Sequence, residues 1–365
     1  MSIEAKIQTI EEEIKRTQYN KATQHHIGKL RAKIARLKED VEARGGGRGP
    51  GVGYGVKKAG DATVVLVGFP SVGKSTLLNR LTNANSQVAT YDFTTIRVVP
   101  GLMEYEGARI QILDLPGLIH GAASGKGRGR EVLAVIKSAD LVLLLLDVFT
   151  PQHLGVLLNE LREVDIRLDA RPPDVRIKMR ERGGIRVSST IKLTKIDEET
   201  IKGILEEYRI HNADVVVRED LEMEEFLDVV AGNRKYIPST LVLNKVDLVD
   251  KDYIRDLHGI LKRSYLPISA DKGLNMEKLK ELIYQKLDFI KVYMKPQGGE
   301  ADMKEPLIIL RGARIGDVCD RLHRDFRRRF RYSQVWGTSV RFGGQRVGLE
   351  HLLADGDVIT VVTRR

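Results

Sequence analysis

Isoleucines recur at Ile3, Ile7, Ile10 and Ile14, and the same stepping returns at Leu30, Ile34, Leu37 and Val41. Alternating steps of four and three place each set on one face of a helix. Thr17 to Asn20 breaks the first stripe, so the pattern predicts a helical hairpin. Beyond it the apolar positions change period. Thr63 to Val67, Leu141 to Leu146 and Leu241 to Leu243 are continuous apolar runs of strand length, and Arg109 to Leu113 also reads as a strand. Thr76 to Leu81 opens a helix. In the middle of the chain, short strand-like runs at Ile185 to Val187 and Asp214 to Val217 flank a helix-like Glu198 to Tyr208. Near the end, Leu307 to Leu310 reads as a strand and Asp317 to Phe330 as a helix. Strand-like Gln334 to Trp336, Gly343 to Val347 and Val358 to Val362 follow, an order that fits a small β-grasp fold.

Composition narrows the class. A chain of 365 residues has room for several domains. Its 60 Lys and Arg against 50 Asp and Glu leave a charge of +10, which favours a polyanionic partner such as RNA. The single cysteine, Cys319, excludes an internal disulfide and any multi-cysteine zinc site, and it predicts a cytosolic setting. The longest apolar run, Leu141 to Val148, is interrupted by Asp147 and is too short to span a bilayer. The first residues lack the apolar core of a signal peptide.

The chemistry lies where the strand-like runs end. Gly68-Phe69-Pro70-Ser71-Val72-Gly73-Lys74-Ser75-Thr76 sits between a strand and a helix, the setting a GxxxxGK[ST] phosphate loop requires. Glycines let the backbone wrap a polyphosphate with its N–H groups inward, and the helix N-terminus adds partial positive charge. Lys74 is expected to reach the β- and γ-phosphates and Ser75 to ligate Mg²⁺. Thr95, in the polar Tyr91-Asp92-Phe93-Thr94-Thr95, is placed to complete the Mg²⁺ shell when a γ-phosphate is present. A further strand ends in Asp114-Leu115-Pro116-Gly117, where the carboxylate faces Mg²⁺ and the Gly117 N–H the γ-phosphate. The glycine- and cation-rich Gly121 to Arg130 reads as a second switch. Asn244-Lys245-Val246-Asp247 reads guanine, because the Asp247 carboxylate can accept from both N1–H and the 2-amino group. Asn244 is expected at the base edge, and the Lys245 stem on its face. Ser269-Ala270 offers backbone donors to O6. The ordered set predicts a Ras-like guanine-nucleotide domain, with Lys74, Thr95 and Gly117 as the catalytic groups. A P-loop ATPase leaves Asn244 to Asp247 unexplained. Leu118 stands where Ras-like enzymes carry the water-orienting glutamine, so slow intrinsic turnover is expected.

These positions divide the chain as follows: 1–43 a helical arm, 44–60 a Gly-rich linker, 61–163 and 234–292 the two parts of the nucleotide domain, 164–233 an α+β insert, and 293–365 a C-terminal module. Two faces carry dense positive charge. On the arm, Lys29, Arg31, Lys33 and Arg36 are either a solvated face or a surface for RNA or protein. In the C-terminal module, Arg321, His323, Arg324, Arg327 to Arg329 and Arg331 are interleaved with Phe326, Phe330 and Tyr332 and point toward RNA contact.

Together with Phe93-Thr94-Thr95, Gly125 to Arg130, Val335-Trp336-Gly337, Gln345-Arg346-Val347-Gly348 and Asp355 to Ile359, the motifs resemble the developmentally regulated GTP-binding proteins, within the Obg-like translation-factor GTPases. The likeness spans nearly the whole chain. It implies a Ras-like G domain preceded by a helical hairpin, holding an inserted ribosomal-protein-S5-like domain and followed by a TGS domain. It also implies a GTPase acting on ribosomes, an apolar residue at Leu118, and stimulation by potassium. Potassium-using relatives carry asparagine at the position of Ser71. A regulatory protein partner is compatible with this reading, and neither a membrane nor DNA is expected. The competing function is an RNA-binding scaffold with guanine nucleotide as a structural ligand.

Overall fold

The computed structural model describes residues 3–18, 20, 23–45, 60–82, 91–93, 96–115 and 129–364. Residues 46–59 of the expected 44–60 linker, Thr95, and the stretch from Pro116 to Arg128 lie outside them.

Two helices come first, α1 (Ile3–Arg16) and α2 (Gln24–Gly45). The nucleotide domain begins with β1 (Ala62–Val67), α3 (Lys74–Leu81), β2 (Tyr91–Phe93), β3 (Ile96–Tyr105) and β4 (Ala108–Asp114). It continues through α4 (Gly129–Lys137), β5 (Leu141–Asp147) and α5 (His153–Glu163). The insert follows as β6 (Ile166–Leu168), β7 (Val175–Met179), β8 (Ile185–Ser189), α6 (Glu198–Glu207), β9 (Ala213–Val217), α7 (Met223–Ala231) and β10 (Lys235–Ile237). The nucleotide domain resumes with β11 (Ser239–Asn244), α8 (Lys251–Leu261), β12 (Tyr265–Pro267) and α9 (Met276–Leu287). The C-terminal module holds β13 (Phe289–Met294), β14 (Leu307–Leu310), α10 (Ile315–Leu322), α11 (Arg324–Arg328), β15 (Phe330–Trp336), β16 (Gln345–Val347) and β17 (Val358–Thr363).

The chain separates into two compact units, 1–53 with 165–236, and 54–164 with 237–365. In the first unit, α2 lies on the insert. Gly28 and Gly203 permit the approach: a Cβ at Gly28 would stand 2.9 Å from Thr200 Cγ2, and one at Gly203 would stand 2.5 Å from the His25 ring. Ile27 and Ala32 join Ile201, Ile204, Val215 and Phe226 in one core. Several of the arm's cations are engaged here. Arg31 pairs with Glu224, Lys29 with Glu206 at 3.4 Å, and Arg36 donates to the Glu207 carbonyl at 2.7 Å. The insert's three-stranded sheet runs β7-β9-β8.

The second unit is built on a seven-stranded sheet ordered β12-β11-β5-β1-β4-β3-β2. From β12 to β4 the strands are parallel, and β3 and β2 add antiparallel edges. Helices cover the parallel part, so β1 and β11 are buried at every position, the polar Thr63, Ser239, Thr240 and Asn244 as well as the apolar runs. Parallel strands direct their carboxyl ends to one edge, where α/β sheets hold their ligands. The C-terminal sheet is ordered β14-β13-β17-β15-β16, and one of its faces packs on α10 through Val292, Val318, Val335 and Ile359. The single helix expected from Asp317 to Phe330 is two, broken at His323, whose extended backbone (φ −169°) ends α10 and starts α11. Helix α11 ends at Arg328, so Phe330, expected at the helix end, opens β15 instead.

Candidate functional site

Among the described residues, the loops after β1, β5, β11 and β12 meet at the carboxyl ends of the parallel strands. The loop between β1 and α3 turns sharply, with Ser71 at φ 64° and Gly73 at φ 97°. Glycine is required at both ends of this turn. A Cβ at Gly68 would lie 2.5 Å from the Leu145 carbonyl oxygen, and one at Gly73 would lie 2.4 Å from Asn244 Nδ2. Helix α3 starts at Lys74, so Lys74, Ser75 and Thr76 occupy its first turn and their N–H groups face the loop. Pro70, Ser71, Ser75 and Thr76 are exposed, whereas Val72 is buried and anchors the loop. The Lys74 ammonium spans the loop and donates to the carbonyls of Gly68 at 3.1 Å and Phe69 at 2.9 Å. Burial pulls its pKa below the ordinary lysine value, and the Asp114 carboxylate opposes the shift.

At the end of β4, Asp114 Oδ2 accepts from the Ser75 hydroxyl at 2.8 Å. Its other oxygen, Oδ1, is buried and has no hydrogen-bond partner among the described residues. A buried carboxylate oxygen needs a donor or a cation. Asp114 and Ser75 therefore form a paired set of hard oxygen donors that suits Mg²⁺. The neighbouring Leu115 is buried, while Pro116, Gly117 and Leu118 lie outside the described residues, as does Thr95. Among the described residues no group of three or more His, Cys, Asp or Glu side chains forms a separate metal cluster.

Asn244, at the end of β11, has both ends of its amide committed within the protein. Nδ2 donates to the Val72 carbonyl at 2.8 Å, and Oδ1 accepts from the Ala270 N–H at 2.9 Å. It thus ties the phosphate loop to the loop after β12 and is itself buried, a bridging role that the motif did not signal. Arg80 braces the same loop from α3, donating to the Ala270 carbonyl at 3.0 Å and the Asp271 carbonyl at 2.6 Å. Ser269 is buried, and its hydroxyl accepts from the Lys272 N–H at 3.1 Å. Lys245 adopts φ 65° and begins a short helical turn, Val246–Leu248, in which Val246 is buried and Asp247 is exposed.

Two contacts here had no signal in the motifs. At the end of β5, Asp147 Oδ2 takes the Lys245 ammonium at 3.3 Å. Its Oδ1 accepts from the Thr150 hydroxyl at 2.7 Å and from the N–H groups of Thr150 and Phe149 at 3.0 and 3.2 Å. Burial alone would raise this carboxyl. The hydrogen bonds from Thr150 and Lys245, the charge of Lys245 and the Phe149 N–H outweigh that and hold it below the usual carboxylate range. Asp147 stands just past an apolar run, and that position is its only mark in the sequence. The second contact is a ring stack, Phe69 on His153, with centroids 3.9 Å apart.

Residues 63–178 match the family described as 50S ribosome-binding GTPase, residues 182–289 the C-terminal region of that domain, and residues 290–363 the TGS domain. A GTP-binding protein of Methanocaldococcus jannaschii is 61% identical over all of this chain and 94% of its own length. The developmentally regulated GTP-binding protein 1 homolog of Dictyostelium discoideum is 45% identical, with both chains covered completely. The Xenopus laevis developmentally regulated GTP-binding protein 1 is 44% identical, with 99% of both covered. This chain belongs to the developmentally regulated GTP-binding protein family. It is a P-loop GTPase with a Ras-like G domain and a C-terminal TGS domain, and its ligands are GTP and GDP. Among the described residues of this GTPase, no helix is long and apolar enough to cross a membrane.

Proposed function

We propose that this GTPase is a slow guanine-nucleotide switch that works on the ribosome. The observation that supports the ribosomal reading is the match of residues 63–178 to the 50S ribosome-binding GTPases, in a chain whose charge is +10. Ser75 and Asp114 would hold Mg²⁺, with Thr95 joining them in the GTP state. The buried, partnerless Asp114 Oδ1 supports this assignment. Bound there, the ion would neutralise charge on the β- and γ-phosphates. Lys74 and the loop N–H groups would orient the phosphates and balance their charge. The Gly117 N–H would report the γ-phosphate to the segment that follows it. Lys245, with Asp147 behind it, would cover one face of guanine, and Asp247 would read its edge. Leu118 cannot orient water, so a potassium ion or a group supplied by the ribosome would complete catalysis.

Co-sedimentation with purified ribosomes tests this, with the protein loaded with a non-hydrolysable GTP analogue or with GDP, at low and at high salt. Tighter, salt-sensitive binding in the GTP-like state is expected. Equal binding in both nucleotide states would remove the switch, and no binding would remove the ribosome.

A further inference from the structure

We propose that Arg80 helps select guanine without touching it, by aiming the Asp271 N–H at the base O6. The loop after β12 carries backbone N–H groups from Ser269 to Lys272. Most of them are engaged within the protein. The Ser269 N–H donates to the Leu274 carbonyl at 3.3 Å, the Ala270 N–H to Asn244 Oδ1 at 2.9 Å, and the Lys272 N–H to the Ser269 hydroxyl at 3.1 Å. The Asp271 N–H has no acceptor among the described residues. The Ala270 N–H, one of the donors expected at O6, is thus held by Asn244, and its neighbour is the donor left to read a carbonyl on the base.

Arg80 grips the peptide that carries this donor. Its Nε donates to the Ala270 carbonyl at 3.0 Å and its Nη2 to the Asp271 carbonyl at 2.6 Å. The C=O of Ala270 and the N–H of Asp271 belong to one trans peptide, so they point in opposite directions. Holding the carbonyl therefore fixes the direction of the N–H. A cation on the carbonyl also polarises the peptide and strengthens the N–H as a donor. The planar guanidinium spans both carbonyls at once, which an ammonium does not. The rest of the loop is fixed independently. Leu274 donates back to the Ser269 carbonyl at 3.0 Å, and Asn275 Nδ2 donates to the Pro267 carbonyl at 2.8 Å. Arg80 stands in the last turn of α3, and Lys74 and Ser75 stand in its first, so one helix serves both the phosphate and the base end of the nucleotide. Adenine carries an amino group where guanine carries O6, and that donor would face the Asp271 N–H with no acceptor between them. Arg80 is a positioning residue, because it acts only through the loop backbone. The inference rests on guanine lying against Asp247, and the test separates the two.

Competition against a fluorescent GDP measures the Kd of the full-length protein for GDP, for IDP, and for 6-thio-GDP, whose sulfur is a weak acceptor in place of O6. Arg80→Ala should raise the Kd for GDP and IDP by about 3- to 10-fold, the worth of one hydrogen bond, since both carry O6. The Kd for 6-thio-GDP should change by less than about twofold, because the bond that Arg80 supports is already weak there. Arg80→Lys should recover part of the GDP affinity, through one carbonyl. Wild-type GDP affinity in Arg80→Ala would overturn the proposal. So would an equal loss on all three nucleotides, which is the mark of a brace that only stabilises the loop. Asp247→Asn is the control for the base itself and should weaken GDP and 6-thio-GDP together. If it weakens neither, the placement of guanine at Asp247 fails, and the role of Arg80 falls with it.

Discussion

Replacing Asn244 with alanine should loosen the hold on both nucleotides at once. The side chain is 3% exposed and joins the Val72 carbonyl to the Ala270 N–H. Its removal leaves one acceptor and one donor in a buried place. Each such orphan costs about 1–3 kcal/mol, so the upper limit is about 6 kcal/mol. The space left by the amide lies beside the exposed loop and can admit water, which brings the expected loss to about 2–3 kcal/mol. If the loss falls on nucleotide binding, the Kd rises about 30- to 150-fold. Because the bridge touches neither the γ-phosphate nor the metal pair, GTP and GDP should suffer alike. Titration with a fluorescent GDP and a fluorescent non-hydrolysable GTP measures both, and thermal unfolding reports any share lost to stability. Affinity within threefold of wild type together with an unchanged Tm would refute the bridging role. A loss confined to GTP would refute the claim that Asn244 acts through the two loops.

Lys74→Ala should abolish tight nucleotide binding or turnover, and wild-type turnover in that variant would contradict the site. Asp247→Asn should shift preference from GTP to XTP, read from competition for turnover; an unchanged preference would remove its guanine-reading role. Asp147 is held below the usual carboxylate range, where the unfolded group titrates near about 4. Its stabilisation is therefore full above about pH 4 and is lost as pH falls through the lower folded value. The Tm gap between wild type and Asp147→Asn should be constant near neutrality and shrink in acid, and a gap independent of pH would count against the ion pair with Lys245.

The site was legible where chemistry constrains residue type at fixed spacing. Gly73, Lys74, Ser75, Asp114 and the Asn244 to Asp247 run all follow strand-length runs, so their strand-end positions could be read from the pattern alone. Asp147, Arg80 and His153 were not legible, because each acts through a partner brought close only by the sheet order: Lys245, the loop at Ala270, and Phe69. The split of the helix at His323 was hidden for a local reason. Helix-forming residues stand on both sides of the break, and no glycine or proline marks His323; α11 then stops at Arg328, which leaves Phe330 to open a strand. The fate of the arm's cations was equally hidden, since Glu206 and Glu224 lie far along the chain from Lys29 and Arg31.

The seating of α2 on the insert has a consequence for synthesis. Arg36 and the Glu207 carbonyl are 171 residues apart in the chain, yet they meet in one core unit. A growing chain presents Ile27 and Ala32 of α2 first and must make the whole first half of the G domain before α6 and α7 emerge to cover them. During that interval this face of α2 needs a chaperone or must stay unfolded. Trimming the first helices as a dispensable tail would have the converse effect, baring Ile201, Ile204 and Phe226, and such a truncated protein would be expected to aggregate on expression.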